Sequence, residues 1–437
     1  MKKLAAVFCL LGLLPSVWMV SAAAAPPEDI EARAALLVDA ETGQVLYDKN
    51  GEESLEPASI TKILTAMLAL ELLDPTEVLT ASAEAAELPS WASSAGLQAG
   101  ETLTLEQALY ALMLPSGNDA AAVIAEAAAG SQQAFAQLMN ERAASLGAAA
   151  THFVNPSGLP DPEHRTTARD MALITRRALQ TPGFLDVFGT AEYQMAATNL
   201  SDTRKWLNTH RMLRPDSPEY DPSIIGGKTG YTDSAGHTLV SAAQRAGRTL
   251  LCVILNSERY YQDTQELLDY GFTAFHPHTY AFKTENAQLP LMQGEQEAGF
   301  IRFRRPDPVS LLLPDSLAPE QITEQYLLPQ DSQNLQASVS LLFPSENEEG
   351  SFLSLSLPLQ AESAVLYPAA QQAAAPPAVQ QAQTFPLWLL PAAAAGGLFA
   401  GVFLQRLYFA RRGRRRTALR FRKSLRYSPP GNRPGTK

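Results

Sequence analysis

A run of twenty residues near the C-terminus, FPLWLLPAAAAGGLFAGVFL, contains no charged side chain. A helix of about 20 residues spans the hydrocarbon core of a bilayer, so we predict a transmembrane helix over residues 385–405. Twelve lysines and arginines and no acidic residue follow from Arg406 onward. Basic residues beside a span mark its cytoplasmic side, which places the tail of residues 406–437 inside and the main body outside. A buried terminal helix would leave these arginines unexplained.

The N-terminus has the pattern of a cleaved export signal. MKKLAAVFCLLGLLPSVWMVSAAAA begins with two lysines, continues as an apolar run and ends in small residues, as secretory signals do. The run is short for a membrane span, so we predict a signal peptide over residues 1–25. The C-terminal helix would then anchor the mature protein in the cell membrane, with its main part on the outer face.

The exported part is strongly acidic. The whole chain has 34 basic and 45 acidic residues, and without the signal and the tail 20 basic residues remain, a formal charge of −25. Such a surface repels polyanions, which argues against nucleic-acid partners. The basic tail instead suits anionic lipid head groups. Cys252 is the one cysteine left after signal removal, and the histidines lack metal-binding spacing, so we expect no disulfide, metal or cofactor.

The first exported domain, residues 26–278, combines strand and helix patterns. AALLVDAETGQVLYD predicts a hairpin with its turn at residues 41–43. Apolar periodicity predicts four helices, and alternation later predicts three strands, IIGGKTGYT, HTLVSAAQ and TLLCVILN, before a closing helix in TQELLDYGFTAF. The helices are predicted over residues 59–73, 104–114, 119–129 and 131–146. A sheet built from both ends of this segment, with helices inserted between them, is an α/β arrangement.

The composition changes near residue 280. GFIRFR, PVSLLL, ASVSLLF and FLSLSLPL are short apolar runs separated by Pro, Gly and Ser, and they predict a small β-rich domain over residues 279–367. PAAQQAAAPPAVQQAQT, residues 368–384, has too few large apolar side chains to bury a core and is typical of a linker to the membrane.

A lysine interrupts the most apolar predicted helix. In EPASITKILTAMLALELL, Ser59 and Lys62 are three residues apart, so they share one helical face. A serine at this position is also a common helix cap, but a cap does not account for Lys62. Burial disfavours the charged ammonium and lowers the pKa of a lysine, which lets it act as a base. A serine beside such a base can act as a nucleophile.

Two further motifs accompany this pair. Ser116-Gly117-Asn118 lies at a break between predicted helices, and Lys228-Thr229-Gly230 lies on a predicted strand. The trio S-x-x-K, S-x-N and K-T-G is the signature of penicillin-binding proteins and class A β-lactamases.

With these motifs the chain resembles the low-molecular-mass penicillin-binding proteins that are serine D-alanyl-D-alanine carboxypeptidases. The resemblance covers about residues 34–275 and includes PASITKILTA, THFVNPSGLPD and TTARDMALI in order. It implies a β-lactamase/transpeptidase-like α/β domain, with an antiparallel sheet flanked by helices and a helical subregion. The β-rich domain and membrane anchor fit the same family and would be surplus in a secreted β-lactamase.

The resemblance also implies roles for the residues of the first two motifs. Ser59 would be the acylated nucleophile and Lys62 the base that takes its proton. Ser116 would pass a proton to the leaving amine, and Asn118 would hold the substrate amide. The substrates would be peptidoglycan stem peptides, and β-lactam antibiotics would be covalent inhibitors.

The K-T-G motif would bind the substrate. Lys228 and Thr229 would attract and hold the terminal carboxylate of the peptide. Gly230 would let the peptide approach the strand edge, and the backbone N–H of Tyr231 would join that of Ser59 in an oxyanion hole. An arginine after the K-T-G strands completes the family's carboxylate site, and Arg259 is one candidate for it.

These residues leave rival functions open. A D,D-endopeptidase that cuts cross-links, or a β-lactamase, would use the same three motifs. A protein of another class would be an inactive, membrane-tethered wall-binding protein, although the intact motifs argue against it.

Overall fold

A computed structural model of the protein describes six stretches of the chain, residues 26–283, 286–293, 296–314, 317–327, 337–343 and 354–366. The predicted signal peptide, linker, transmembrane helix and basic tail lie outside these stretches. Within them, every helix is too short or too polar to span a bilayer.

The described helices are α1 Lys62–Leu72, α2 Ala83–Ala86, α3 Leu105–Met113, α4 Asn118–Ala129, α5 Gln132–Ser145, α6 Ala168–Leu179, α7 Phe184–Phe188 and α8 Tyr260–Ala274. Short 3-10 turns cover Ala58–Thr61, Arg211–Leu213 and Pro319–Gln321. The first strands are β1 Ala34–Asp39, β2 Val45–Lys49, β3 Val78–Thr80, β4 Thr102–Thr104, β5 Glu192–Met195, β6 Arg204–Leu207, β7 Ile224–Thr232, β8 Gly236–Arg245 and β9 Arg248–Leu255. The later strands are β10 Phe275–Tyr280, β11 Asn286–Gln293, β12 Gln296–Arg304, β13 Val309–Pro314, β14 Thr323–Leu327, β15 Ala337–Leu342, β16 Ser354–Leu359 and β17 Ala361–Leu366.

A five-stranded sheet in the order β2-β1-β9-β8-β7 organises the first part of the chain. All of its neighbouring strands are antiparallel. Strand β1 of the predicted hairpin therefore pairs with β9, about 200 residues further along the chain. This confirms the predicted α/β arrangement, in which the sheet is built from both ends of the segment. The K-T-G motif lies on β7, at one edge of the sheet.

Alternate residues of the central strands face two separate cores. On β9, Val253 points into the core formed with the inserted helices, whereas Cys252 and Ile254 point into the core with α8. This is the period-two pattern of a strand buried on both faces. The free thiol of Cys252 is fully buried, and burial raises its pKa far above the usual range, so it serves as an apolar core residue.

Four of the eight described helices, α2, α3, α5 and α6, begin where a local side chain accepts a hydrogen bond from one of their first N–H groups. Thr104 and Gln107 form a capping box at the start of α3, and the hydroxyl of Thr167 accepts from the backbone of Asp170 at the start of α6. The four helices expected from periodicity correspond to α1, α3, α4 and α5. Helix α6 was not among them, although its polar and apolar faces are clearly separated.

The predicted β-rich segment consists of short strands. Strand β10 pairs with β13, and β14, β15 and β16 form an antiparallel sheet. Because β10 crosses residue 278, the chain passes this point within a strand, and the domain boundaries stay predictions. Of the described residues, 290–293, 296–299 and 366 belong to a second compact unit, and their backbone is extended.

Candidate active site

Ser59 lies in a tight turn just before α1. The 3-10 turn Ala58–Thr61 includes Ala58 at φ +51°, a left-handed conformation that is strained for a residue with a Cβ. Two hydroxyls hold this turn: Thr238 donates to the carbonyl of Pro57, and Thr61 donates to that of Ala58, both at 2.8 Å. The half-buried Ser59 side chain is therefore presented from a fixed backbone.

Lys62 is the first residue of α1 and is fully buried. Its Nζ lies 2.9 Å from Ser59 Oγ, 2.7 Å from Asn118 Oδ1 and 2.6 Å from the carbonyl oxygen of Ser157. The last two oxygens can only accept, so they occupy both N–H groups of a neutral amine. The lone pair of that amine is then left for the hydroxyl of Ser59.

The environment of Lys62 favours the neutral amine. Burial lowers the pKa of Lys62 well below its ordinary value, and the positive charge of Lys228 lowers it further. The carboxylate of Asp119 acts in the opposite direction but is the smallest of the three influences. The sequence predicted this lowered pKa from the apolar character of the helix.

The S-x-N motif occupies the break between α3 and α4. Ser116 has φ +62° and is buried, and its Oγ has no hydrogen-bond partner among the described residues. Buried hydroxyls are rarely left without a partner, so this atom is available to a bound molecule. Asn118 is the first residue of α4, and its side chain contacts Lys62.

Lys228 and Thr229 extend the site along the edge strand β7. Lys228 is fully buried, its Nζ donates to the carbonyl of Thr229 at 2.9 Å, and burial lowers its pKa to about 7. The hydroxyl of Thr229 lies 2.7 Å from the hydroxyl of Thr209. A lysine amine and two hydroxyls therefore lie near one another on this side of the site.

Gly230 allows β7 to pack against the turn that carries Ser59. A Cβ at this position would lie 2.8 Å from the backbone nitrogen of Ser59 and would also meet the hydroxyl of Thr238. The sequence interpretation attributed this glycine to the approach of a substrate, and the structure adds the approach of the Ser59 turn. Tyr231 follows with an exposed ring that contacts His237, at a centroid distance of 4.6 Å.

The Asn-Pro-Ser-Gly segment forms a turn behind Ser59 and Lys62. The Oδ1 atom of Asn155 accepts from the backbone N–H groups of Ser157, Gly158 and Leu159. Gly158 has φ +83°, and a Cβ there would collide with the carbonyl oxygen of Ala58. Sequence reasoning predicted the turn but missed the contact between the Ser157 carbonyl and Lys62, since a backbone acceptor leaves no residue-type signal.

Asp119 fixes the segment that borders the start of α4. Its carboxylate accepts from the Ser94 hydroxyl at 2.6 Å and from the backbone N–H groups of Ala95 and Leu97 at 2.9 and 3.0 Å. The backbone N–H of Asn118 also donates to the carbonyl of Ser93. This segment is therefore held beside Asn118 by four hydrogen bonds, a role that sequence reasoning did not assign to Asp119.

The arginine considered for the carboxylate site contacts other groups. Arg259 forms an ion pair with Glu266 at 2.9 Å and donates to the carbonyl of Asp29 at 3.3 Å. Within the described stretches, no group of three or more His, Cys, Asp or Glu side chains is arranged to hold a metal ion.

The family model for D-alanyl-D-alanine carboxypeptidases matches residues 19–259, more than half of the chain. The chain belongs to this family. It is 33% identical to the D-alanyl-D-alanine carboxypeptidase DacF of Bacillus subtilis over 293 residues. The aligned part covers 64% of this chain and 72% of the relative. A D-alanyl-D-alanine carboxypeptidase of Mycobacterium tuberculosis is 34% identical over 259 residues, 57% of this chain and 86% of the relative.

The solved structures agree with this assignment. A Streptomyces DD-transpeptidase matches with a TM-score of 0.53 at 30% identity, over 57% of this chain and 99% of that one. The family resemblance drawn from the three motifs and the transpeptidase-like α/β fold that it implied are thus confirmed, and with them the class of enzyme, a serine peptidase of the hydrolases.

Proposed function

We propose that this family member removes the terminal D-alanine from peptidoglycan stem peptides through an acyl-serine intermediate. One observation carries the proposal: the buried amine of Lys62 lies 2.9 Å from the Ser59 hydroxyl, while two acceptor oxygens occupy its N–H groups. This arrangement provides a base where the nucleophile needs one.

Acylation begins when Ser59 Oγ attacks the carbonyl carbon between the two D-alanines and Lys62 takes the hydroxyl proton. The carbonyl oxygen becomes an oxyanion, which accepts from the backbone N–H groups of Ser59 and Tyr231, a stabilisation of about 3 kcal/mol per donor. The C–N bond then breaks as Ser116 gives its hydroxyl proton to the nitrogen of the departing D-alanine and receives in turn the proton held by Lys62, which becomes neutral again. The buried hydroxyl of Ser116 has no hydrogen-bond partner among the described residues, so it is suited to this transfer.

In deacylation water is the nucleophile and Ser59 Oγ is the leaving group. A water molecule gives a proton to Lys62 and attacks the ester carbon, and the proton returns to Ser59 Oγ as the C–O bond breaks. The shortened stem peptide then leaves with a new carboxylate, and the enzyme is regenerated.

The K-T-G strand places the peptide. The substrate lies along the edge of β7 as an added strand, with its backbone paired to the sheet. Its terminal carboxylate is attracted by Lys228 and accepts from the hydroxyl of Thr229, and Asn118 holds the amide of the acyl side. β-Lactams would occupy the same site and acylate Ser59.

Product analysis tests the proposal. The purified protein is incubated with a stem pentapeptide, with a cross-linked dimer and with the pentapeptide plus an acceptor amine. We expect release of one D-alanine from the pentapeptide, covalent labelling by a fluorescent penicillin, and neither reaction with Ser59→Ala. Faster cleavage of the dimer would identify an endopeptidase, and transfer to the amine would identify a transpeptidase, the activity named for the Streptomyces neighbour.

We further propose that the enzyme acts on the outer face of the cell membrane and is held there by the helix predicted over residues 385–405. The uncharged run and the arginines that follow it support this location. A protein that ends at Thr384 should be soluble and active. If it stays with membranes after a high-salt wash, the anchor has been assigned to the wrong segment.

A further inference from the structure

We propose that the hydroxyl of Thr209 forms, together with that of Thr229, the binding site for the C-terminal carboxylate of the substrate. This inference rests on the proposed function. The two Oγ1 atoms are 2.7 Å apart, and Thr209 is exposed to solvent. One carboxylate can therefore contact both hydroxyls.

The backbone of Thr209 is held on two sides. Its N–H donates to the carbonyl of Leu114 at 3.1 Å, just before the S-x-N motif. Its carbonyl accepts from the phenol of Tyr261 at 3.2 Å, and the same phenol oxygen accepts from the N–H of Arg211. Thr209 thus spans the space between the S-x-N loop and the K-T-G strand.

The residues on either side of Thr209 are also held in place by hydrogen bonds. Asn208 accepts from the N–H of His210 and donates to the carbonyl of Thr190, both at 2.9 Å. His210 is buried, lies 2.7 Å from the hydroxyl of Ser241 and fills the space that a Cβ on Gly227 would need. A hydroxyl carried by such a segment is preorganised, so little entropy is lost when it binds a ligand.

The amine of Lys228 can attract an anion at this place, because its Nζ donates to the carbonyl of Thr229 and a bound carboxylate would favour the protonated form. Lys228 precedes Thr229 and is fully buried, whereas Arg259 is engaged with Glu266. In the free enzyme one of the two threonine hydroxyls donates to the other. When the carboxylate arrives, both can turn to donate to it, and bonds to a charged acceptor are stronger than the bond that is given up.

Thr209 should therefore distinguish a free carboxylate from an uncharged end group. The test compares two peptides, one ending in D-alanyl-D-alanine and one in D-alanyl-D-alaninamide, with the full chain in detergent. For Thr209→Val we expect kcat/KM for the acid to fall about 10- to 100-fold, as for a lost bond to a charged group, with little change for the amide. Thr209→Ser should keep the preference for the acid, and Thr229→Val gives the loss caused by removing the partner hydroxyl.

The controls separate three outcomes. Thr273→Val removes an exposed hydroxyl within α8 and should change neither substrate. An equal loss on both peptides with Thr209→Val, or with Thr209→Ala if the valine variant is unstable, would mean a structural role and overturn the inference. An unchanged preference would overturn it too. If the unaltered protein releases no D-alanine from the acid, the proposed function has failed instead.

Discussion

At the scale of single residues, the amine of Lys62 is the most demanding feature of the site. A lysine is rarely fully buried, because its ammonium loses solvation that only good acceptors replace. Here three oxygens surround the Nζ atom, from Ser59, Asn118 and the carbonyl of Ser157. These contacts satisfy an ammonium with three donated bonds, and they satisfy a neutral amine with two donated bonds and one accepted bond. The site can therefore hold Lys62 on both sides of a proton transfer.

Substituting arginine for Lys62 distinguishes two possible roles of this lysine, a general base and a permanent positive charge. Lys62→Arg keeps a cation on a long side chain, but a guanidinium stays protonated in proteins and cannot accept the Ser59 proton. We expect acylation by penicillin to fall by about 10² to 10⁴, the contribution typical of a general base. The rate of labelling is the measurement, with circular dichroism as the check on folding. Rapid acylation of a folded Lys62→Arg protein would exclude Lys62 as the base.

At the scale of elements, the Ser59 turn is held by three separate parts of the chain. Strand β8 supplies Thr238, which donates to the carbonyl of Pro57. The loop around His164 reaches Thr61, whose hydroxyl donates to the carbonyl of Ala58. The Asn-Pro-Ser-Gly turn packs against that same carbonyl through Gly158. The strained φ of Ala58 can persist because its surroundings determine it from several directions.

Gly158 offers a test of this arrangement with an internal control. Gly158 and Gly130 both have a left-handed φ, +83° and +79°, so alanine costs about 1 kcal/mol of conformational strain at each. A Cβ at Gly130 meets nothing within 4 Å, whereas one at Gly158 collides with the carbonyl of Ala58. We expect Gly130→Ala to lower only stability and Gly158→Ala to slow penicillin acylation as well. Equal acylation rates in the two variants would show that this contact does not position Ser59.

At the scale of the whole molecule, two buried histidines link stability to pH. Burial lowers the pKa of His164 to about 4 and that of His210 to about 3. The Nδ1 of His164 accepts from the N–H of Val154, so its Nε2–H donates to Thr61. Protonation of Nδ1 would replace that acceptor with a second donor facing Val154, and the hydrogen bond would be lost.

The direction of the pH effect follows from these values. Between about pH 6.5 and the folded pKa the unfolded chain binds more protons, so the free energy of unfolding falls as the pH falls through this range. From pH 6.5 to 4, His164 alone would account for about 3 kcal/mol. Denaturant unfolding at several pH values measures the slope. His164→Gln should flatten it, whereas His152→Gln, which changes an exposed histidine, should not.

Much of this molecule could be predicted because its signals are local. The spacing of Ser59 and Lys62 brings their side chains together through one turn of helix, whatever surrounds them. The hairpin β1–β2 follows from its turn residues, and the strands that carry K-T-G follow from their apolar alternation. Helix α6 was missed although its capping threonine is visible in the sequence. The domain boundaries and the segments outside the described stretches stay predictions.

The sequence by itself determined the family and the order of the motifs and predicted the nucleophile with its base, because each depends on residue types at short spacing. Only the tertiary structure decided which distant groups complete the site. The carbonyl of Ser157 lies 95 residues from Lys62, and Thr209 lies 20 residues from Thr229 across a change of element. Such contacts depend on how strands and turns pack. No spacing in the sequence predicts which backbone oxygen or which single threonine will make them. The physical reason is that helix geometry sets the positions of residues that are close in sequence, whereas contacts between residues that are distant in sequence depend on how the whole chain packs.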